Sequence, residues 1–179
     1  LFAWQLSLLA TLNKPLLAYG MVKHISLGHI KVMQQFFEHC PPSRAEKKAR
    51  TILLSHAKRP IIPVLSTHYE FADSHITLHN RPGVFSQQQI DIGARFFVSQ
   101  FNRLPIANKI ADLGCGNGIL GISYAKLCLA PAVGTLHFID QSQQAVLSCA
   151  DNIQAAGLSQ TYRCFHNDGL LGLDTDYDL

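Results

Sequence analysis

One stretch carries residues whose types and spacing could do chemistry: Ile110 to Gly121, reading I-A-D-L-G-C-G-N-G-I-L-G. A short apolar run ends in an acid at Asp112, glycines stand at the alternate positions Gly114, Gly116 and Gly118, and an apolar, helix-compatible run starts at Ile119. The pattern predicts a strand, a tight turn and a helix start. Glycine lacks a Cβ, so a ligand can lie against the main chain of such a turn. The N–H groups of the helix start, left without intrahelical partners, attract electron-rich ligand atoms. A ligand-free connection would fit the pattern poorly, because alternating glycines are costly in conformational entropy. The expected guest is nucleotide-like.

Two frames fit these residues. From Gly116, G-N-G-I-L-G satisfies the dinucleotide pattern G-x-G-x-x-G, with Asp140 at the end of the next apolar run as the ribose-binding acid; that frame implies an NAD(P)-dependent oxidoreductase. From Asp112, the same residues satisfy D-x-G-x-G-x-G, a loop that binds S-adenosylmethionine. Charge separates the two. A carboxylate just before the glycines repels a pyrophosphate, whereas the ammonium and sulfonium of S-adenosylmethionine attract it. The second frame is therefore preferred.

The elements that must position this loop follow from periodicity. Strand Lys109–Leu113, helix Ile119–Leu129, strand Thr135–Asp140, helix Ser142–Ala156 and strand Thr161–Asn167 form a βαβαβ pattern, which predicts a parallel, three-layer sheet. Ligands of open parallel sheets bind at the carboxyl ends of the strands. Asp112, Asp140 and the pair Asn167-Asp168 fall there. Asp140 can accept from both ribose hydroxyls, Gln141 lies beside it for the adenosine moiety, and Asp168 can accept from an exocyclic adenine amine. Upstream, Ser74 to His79 reads as a short strand turned by Arg81-Pro82-Gly83. Ser86 is the expected N-cap of a helix running to about Asn102, with Ile90, Gly93, Ala94, Phe97, Val98 and Phe101 on its buried face.

Before that domain, the spacing predicts a helix over 1–13, a strand Leu16–Val22, a helix Leu27–His39 stopped by Cys40-Pro41-Pro42, and a strand Lys48–Ser55. This reads as residues 1–60 of a different α/β domain, a linker at 61–73 marked by Pro63 and the absence of helical periodicity, and a ligand-binding domain at 74–179.

Composition sets outer limits. With 179 residues, 47% of them apolar, the chain can bury a core. Residues 1–90 hold ten Lys/Arg against four Asp/Glu, a net of +6, and residues 91–179 hold five against eight, a net of −3. Arg44, Lys47, Lys48, Arg50, Lys58 and Arg59 concentrate the excess and suit either a phosphate backbone or an ordinary solvated face. Five cysteines without C-x-x-C pairing read as reduced thiols of a cytoplasmic protein, with Cys115 a small filler of the loop. No apolar run approaches the roughly 20 residues that span a bilayer, and none of the nine histidines is spaced like a metal ligand. The opening L-F-A-W-Q-L-S-L-L-A-T-L has no starting Met or basic leader and reads as the interior of a longer chain.

R-P-G-V-F-S-Q-Q-Q-I-D-I-G-A-R-F-F, Arg81 to Phe97, followed by D-L-G-C-G-N-G, resembles the class I S-adenosylmethionine-dependent methyltransferases, and among them the bacterial rRNA guanine-N2 methyltransferases. A-Y-G-M-V-K-H-I and A-E-K-K-A-R-T-I are more similar to the large-subunit (23S) branch than to the small-subunit (16S) one. The resemblance implies a Rossmann-like fold preceded by the tail of a degenerate methyltransferase-like domain for RNA recognition, S-adenosylmethionine as cofactor, and 23S rRNA as partner. It implies donor contacts from Phe85 and Ser86, from Asp112, Gly114, Cys115, Gly116, Asn117 and Gly118, from Asp140 and Gln141, and from Asn167 and Asp168. The family's N-P-P-F motif, which holds the target amine and stacks on the base, is expected beyond Leu179, Tyr177-Asp178-Leu179 starting that strand. No catalytic residue is therefore assigned, and the 179 residues alone are expected to bind the donor weakly or not at all and to show no turnover. A non-enzymatic RNA-binding module would account for the basic half but not for the aligned acids.

Overall fold

The computed structural model describes residues 2–58, 67–130, 133–173 and 176–179. They form two compact units, Leu1–Leu65 and Ser66–Leu179.

The first unit comprises α1 (Phe2–Thr11), β1 (Leu16–Met21), α2 (Leu27–Phe36), β2 (Phe37–His39) and β3 (Ala49–Ala57). β3 is central in the order β1-β3-β2, and both neighbours run antiparallel to it. Leu6, Ala10, Ile30, Met33, Phe36, Phe37, Ile52 and Leu54 make its core. Ser26 caps α2: its hydroxyl accepts the His29 N–H at 3.3 Å, and the His29 ring accepts the Ser26 N–H at 3.2 Å. The predicted helix to His39 stops earlier, at Phe36. Phe37 is fully buried and pairs with Ala57, and His39 pairs with Ser55, so sheet pairing captures three residues that have helical spacing. The turn into β3 passes through Lys47 and Lys48, both left-handed at φ 45° and 66°.

In the second unit, β4 (Thr67–Phe71) and β5 (Ile76–Asn80) form an antiparallel hairpin. The tail of the predicted linker is thus a strand; residues 61–66 lie outside the described residues. Then come α3 (Ile92–Val98), β6 (Lys109–Leu113), α4 (Ile119–Cys128), β7 (Thr135–Asp140), α5 (Gln143–Ala156) and β8 (Thr161–His166). β6, β7 and β8 lie parallel in that order, with Asp112 opposite Phe138 and Asp140 opposite His166. This is the Rossmann-like α/β arrangement that the βαβαβ pattern predicts. Phe138, Ile122, Leu136 and Ile153 are fully or almost fully buried at its centre. On the other edge of β6, Asp178 donates its N–H to Lys109 C=O at 2.8 Å and Leu179 C=O accepts from Ala111 at 2.9 Å, so the last residues lie along β6 as a fourth strand would.

Ser86 does not cap a helix. It stands at φ 59°, and α3 begins only at Ile92, capped by Asp91, whose carboxylate accepts the Ala94 N–H at 3.2 Å. Gln87 is the reason. Its C=O accepts from Thr67 Oγ1 at 2.6 Å and Asn80 Nδ2 at 3.1 Å, and its amide donates to Arg81 C=O at 2.9 Å, which fixes the segment as a loop. Of the predicted buried face, Ile90, Val98 and Phe101 are buried, but Phe97 is 45% exposed.

Candidate cofactor-binding site

The glycine loop leaves β6 with Gly114, Gly116 and Gly118 at φ 71°, 56° and 84°. It is fastened from two sides. Ile139 C=O accepts the N–H groups of Gly114 and Cys115 at 2.8 and 3.0 Å, which ties the loop to β7. Asp140 Oδ2 accepts the Gly116 N–H at 2.9 Å while its Oδ1 accepts the Ser142 N–H at 2.7 Å. Asp112 Oδ2 accepts the Gly121 N–H at 2.9 Å, in the first turn of α4.

A network of buried amides supports the loop from beneath. Asn117 is 3% exposed; its Nδ2 donates to Asn80 Oδ1 at 2.8 Å and to Tyr69 Oη at 3.1 Å, and its Oδ1 accepts the Ile119 N–H at 3.2 Å. Asn152, on α5, donates through Nδ2 to His79 C=O and to Asn117 C=O, both at 2.9 Å, and accepts the His79 N–H at 2.7 Å. One fully buried side chain therefore joins β5, α5 and the loop.

Above the loop lies a cavity of about 570 Å³, within the range of small-molecule sites. Phe85, Ser86, Asp112, Gly114, Cys115, Gly116, Asn117 and Asp140 line it. Gly118 does not; it stands at the N-cap of α4, facing Cys149. Gln141, Asn167 and Asp168 line a neighbouring hollow of about 270 Å³ that shares Leu113, Gly114 and Asp140 with the first. Tyr69, Asp91, Phe97 and Ser142 also line the main cavity, none of them assigned a ligand contact from sequence. Asp91 and Ser142 had a legible signal, an oxygen side chain just before an apolar helical run; Tyr69 had none, since β4 falls within the stretch read as linker.

The electrostatics are one-sided. Asp91, Asp112 and Asp140 line the main cavity, and among its described lining residues there is no Lys, Arg or His. Burial pushes the Asp112 carboxyl up to about 6; the Gly121 N–H opposes that, and the charge of Asp140 adds to it. A carboxylate raised in this way lacks a counter-charge. The described residues contain no group of three His, Cys, Asp or Glu able to hold a metal ion, and no described helix is long and apolar enough to cross a membrane.

Fold and site together define an α/β domain with an acid-lined cavity over a glycine loop, a setting whose charge suits a small cationic or zwitterionic ligand. The chain belongs to the Methyltransferase small domain family, whose model matches residues 75–179. Residues 1–59 match the RLMG N-terminal domain. Proteins named Ribosomal RNA large subunit methyltransferase G are similar to it: that of Pseudomonas aeruginosa (strain UCBPP-PA14) is 37% identical over 157 residues, covering 87% of this chain and 41% of the relative. The Alcanivorax borkumensis protein is 35% identical over 187 residues, covering 99% and 46%. The chain thus spans less than half the length of the curated relatives it matches. Among solved structures, the T. thermophilus 16S rRNA N2 methyltransferase RsmC in complex with AdoMet and guanosine superposes with a TM-score of 0.78 at 20% identity, over 98% of this chain and 49% of that one, a likeness of fold.

Proposed function

We propose that the protein carrying this chain transfers a methyl group from S-adenosylmethionine to the exocyclic N2 amine of a guanine in large-subunit (23S) ribosomal RNA. The observation that carries this reading is the cavity's charge: three carboxylates and, among the described lining residues, no cation. A dinucleotide pyrophosphate would enter that field unpaired, whereas an ammonium and a sulfonium are attracted to it. The residues fit the donor. A Cβ built on Gly114 or Gly116 meets nothing within 4 Å, so the loop's upper surface is open to a ligand. Asp112 and Asp140 each keep lone pairs beyond those engaged by the loop. Asp140, at the end of β7, is the ribose partner in this reading, and Gln141, Asn167 and Asp168 continue toward the adenine.

Bound S-adenosylmethionine supplies a methyl group already activated on sulfur. The chain's task is to hold it: the glycine loop sets its height, the acids fix its cationic end, and exposed Phe85 borders the site where a base displaced from stacked RNA would enter. The relatives named for large-subunit rRNA support the substrate class, and the basic cluster of residues 44–59 supports a phosphate-bearing partner. The test is methyl transfer from isotopically labelled donor to 23S and 16S rRNA by the full-length protein, followed by nucleoside analysis. Label as N2-methylguanosine in 23S rRNA is the expected result. Label only in 16S rRNA, on another atom, or on no RNA contradicts it.

A further inference from the structure

Given that reading, the donor presents an amino-acid end with two charges, and the cavity meets them unequally. Its ammonium finds carboxylates at Asp91 and Asp112, Asp140 being the ribose partner, but its own carboxylate finds no Lys, Arg or His among the described lining residues. Neutral donors must serve. Asn117 is spent, since both hydrogens of its amide are engaged by Asn80 and Tyr69. Ser142 accepts from Ala145 at the start of α5 and stands beside Asp140, on the ribose side.

We propose that Tyr69 is a specificity-determining donor to the carboxylate of the amino-acid end, a contact made from β4 in a cavity that Ser86 also lines. Tyr69 lies outside the stretch 75–179 that the family model matches. Its ring packs against the core cluster while the residue lines the cavity. The phenolic oxygen accepts from Asn117 Nδ2 at 3.1 Å, so its own hydrogen must point away from Asn117. No described residue accepts that hydrogen. Burial also raises the phenol above its ordinary range, which keeps it protonated at neutral pH. A carboxylate arriving between the acids and β4 would meet an O–H already held in place from behind.

The test compares two ligands on the full-length protein: S-adenosylhomocysteine, which keeps the amino-acid end, and 5′-methylthioadenosine, which lacks it. By calorimetry, Tyr69→Phe should weaken S-adenosylhomocysteine about tenfold, the scale of one hydrogen bond to a charged group, and leave 5′-methylthioadenosine unchanged. Unchanged S-adenosylhomocysteine binding overturns the contact. Equal losses for both ligands overturn it as well, since Tyr69 would then act only by steadying Asn117. If the wild-type protein binds neither adenosyl compound, the methyl-donor reading itself falls and takes this assignment with it.

Discussion

Asp112 carries opposite obligations to the fold and to the ligand. Its carboxyl is raised from 3.8 to about 6 by burial. An acid raised in the folded state contributes stability that is full below its unfolded pKa and lost as pH rises through the folded one. The ionised form at pH 7 therefore costs about 3 kcal/mol, at roughly 1.4 kcal/mol for each tenfold change in proton affinity. Asp112→Asn should raise the melting temperature at pH 7, and the gain should shrink as pH falls from about 6 toward 4; thermal melts across that range check it, and a pH-independent gain would contradict it. The same substitution should weaken donor binding by tenfold or more at pH 7. In the wild type, affinity should decline as pH drops through about 6, a decline that Asp112→Asn lacks. Equal affinity in both proteins across that range would remove Asp112 from the site.

At the scale of elements, the loop's glycines answer to different constraints. Gly116 stands at φ 56° with open space where a Cβ would be, so Gly116→Ala should cost the fold only about 1–2 kcal/mol of backbone strain yet obstruct the ligand. Gly121 faces inward. A Cβ there would run into the ring edge of Phe138, which is fully buried, and stand 3.0 Å from Asp112 Oδ2. Gly121→Ala should lose about 2–3 kcal/mol, read from denaturant midpoints; a smaller loss than Gly116→Ala would contradict this packing. The strand, turn and helix around these glycines were legible because each signal lay within a dozen consecutive residues. The start of α3 was not. Ser86 and Asp91 both precede apolar helical spacing, and what decides between them is the set of bonds from Thr67 and Asn80 to Gln87, partners 20 and 7 residues away. β2 escaped for a similar reason, its extended form being set by pairing with Ala57 and Ser55. Asn117 could be placed in the loop from sequence, but its inward role depends on Asn80 and Tyr69, which only the folded chain brings to it.

For the whole molecule, charge is distributed by function in the proposed reading: net +6 over residues 1–90 and −3 over residues 91–179. Lys47 and Lys48 are exposed in the turn before β3. Reversing both to Glu should weaken binding of a 23S rRNA fragment and flatten its salt dependence, by about one in log–log slope for each phosphate no longer neutralised. Binding of S-adenosylhomocysteine should not change; an unaltered salt slope would mean that this turn touches no phosphate. The central claim concerns the other unit, where an acid-lined crevice over the glycine loop accepts an ammonium-bearing adenosyl compound and refuses a pyrophosphate. Calorimetry of the full-length protein with S-adenosylhomocysteine and with NAD, under identical conditions, tests it most directly. The account predicts one-to-one binding of S-adenosylhomocysteine and no heat from NAD; saturable NAD binding with no response to S-adenosylhomocysteine would contradict it.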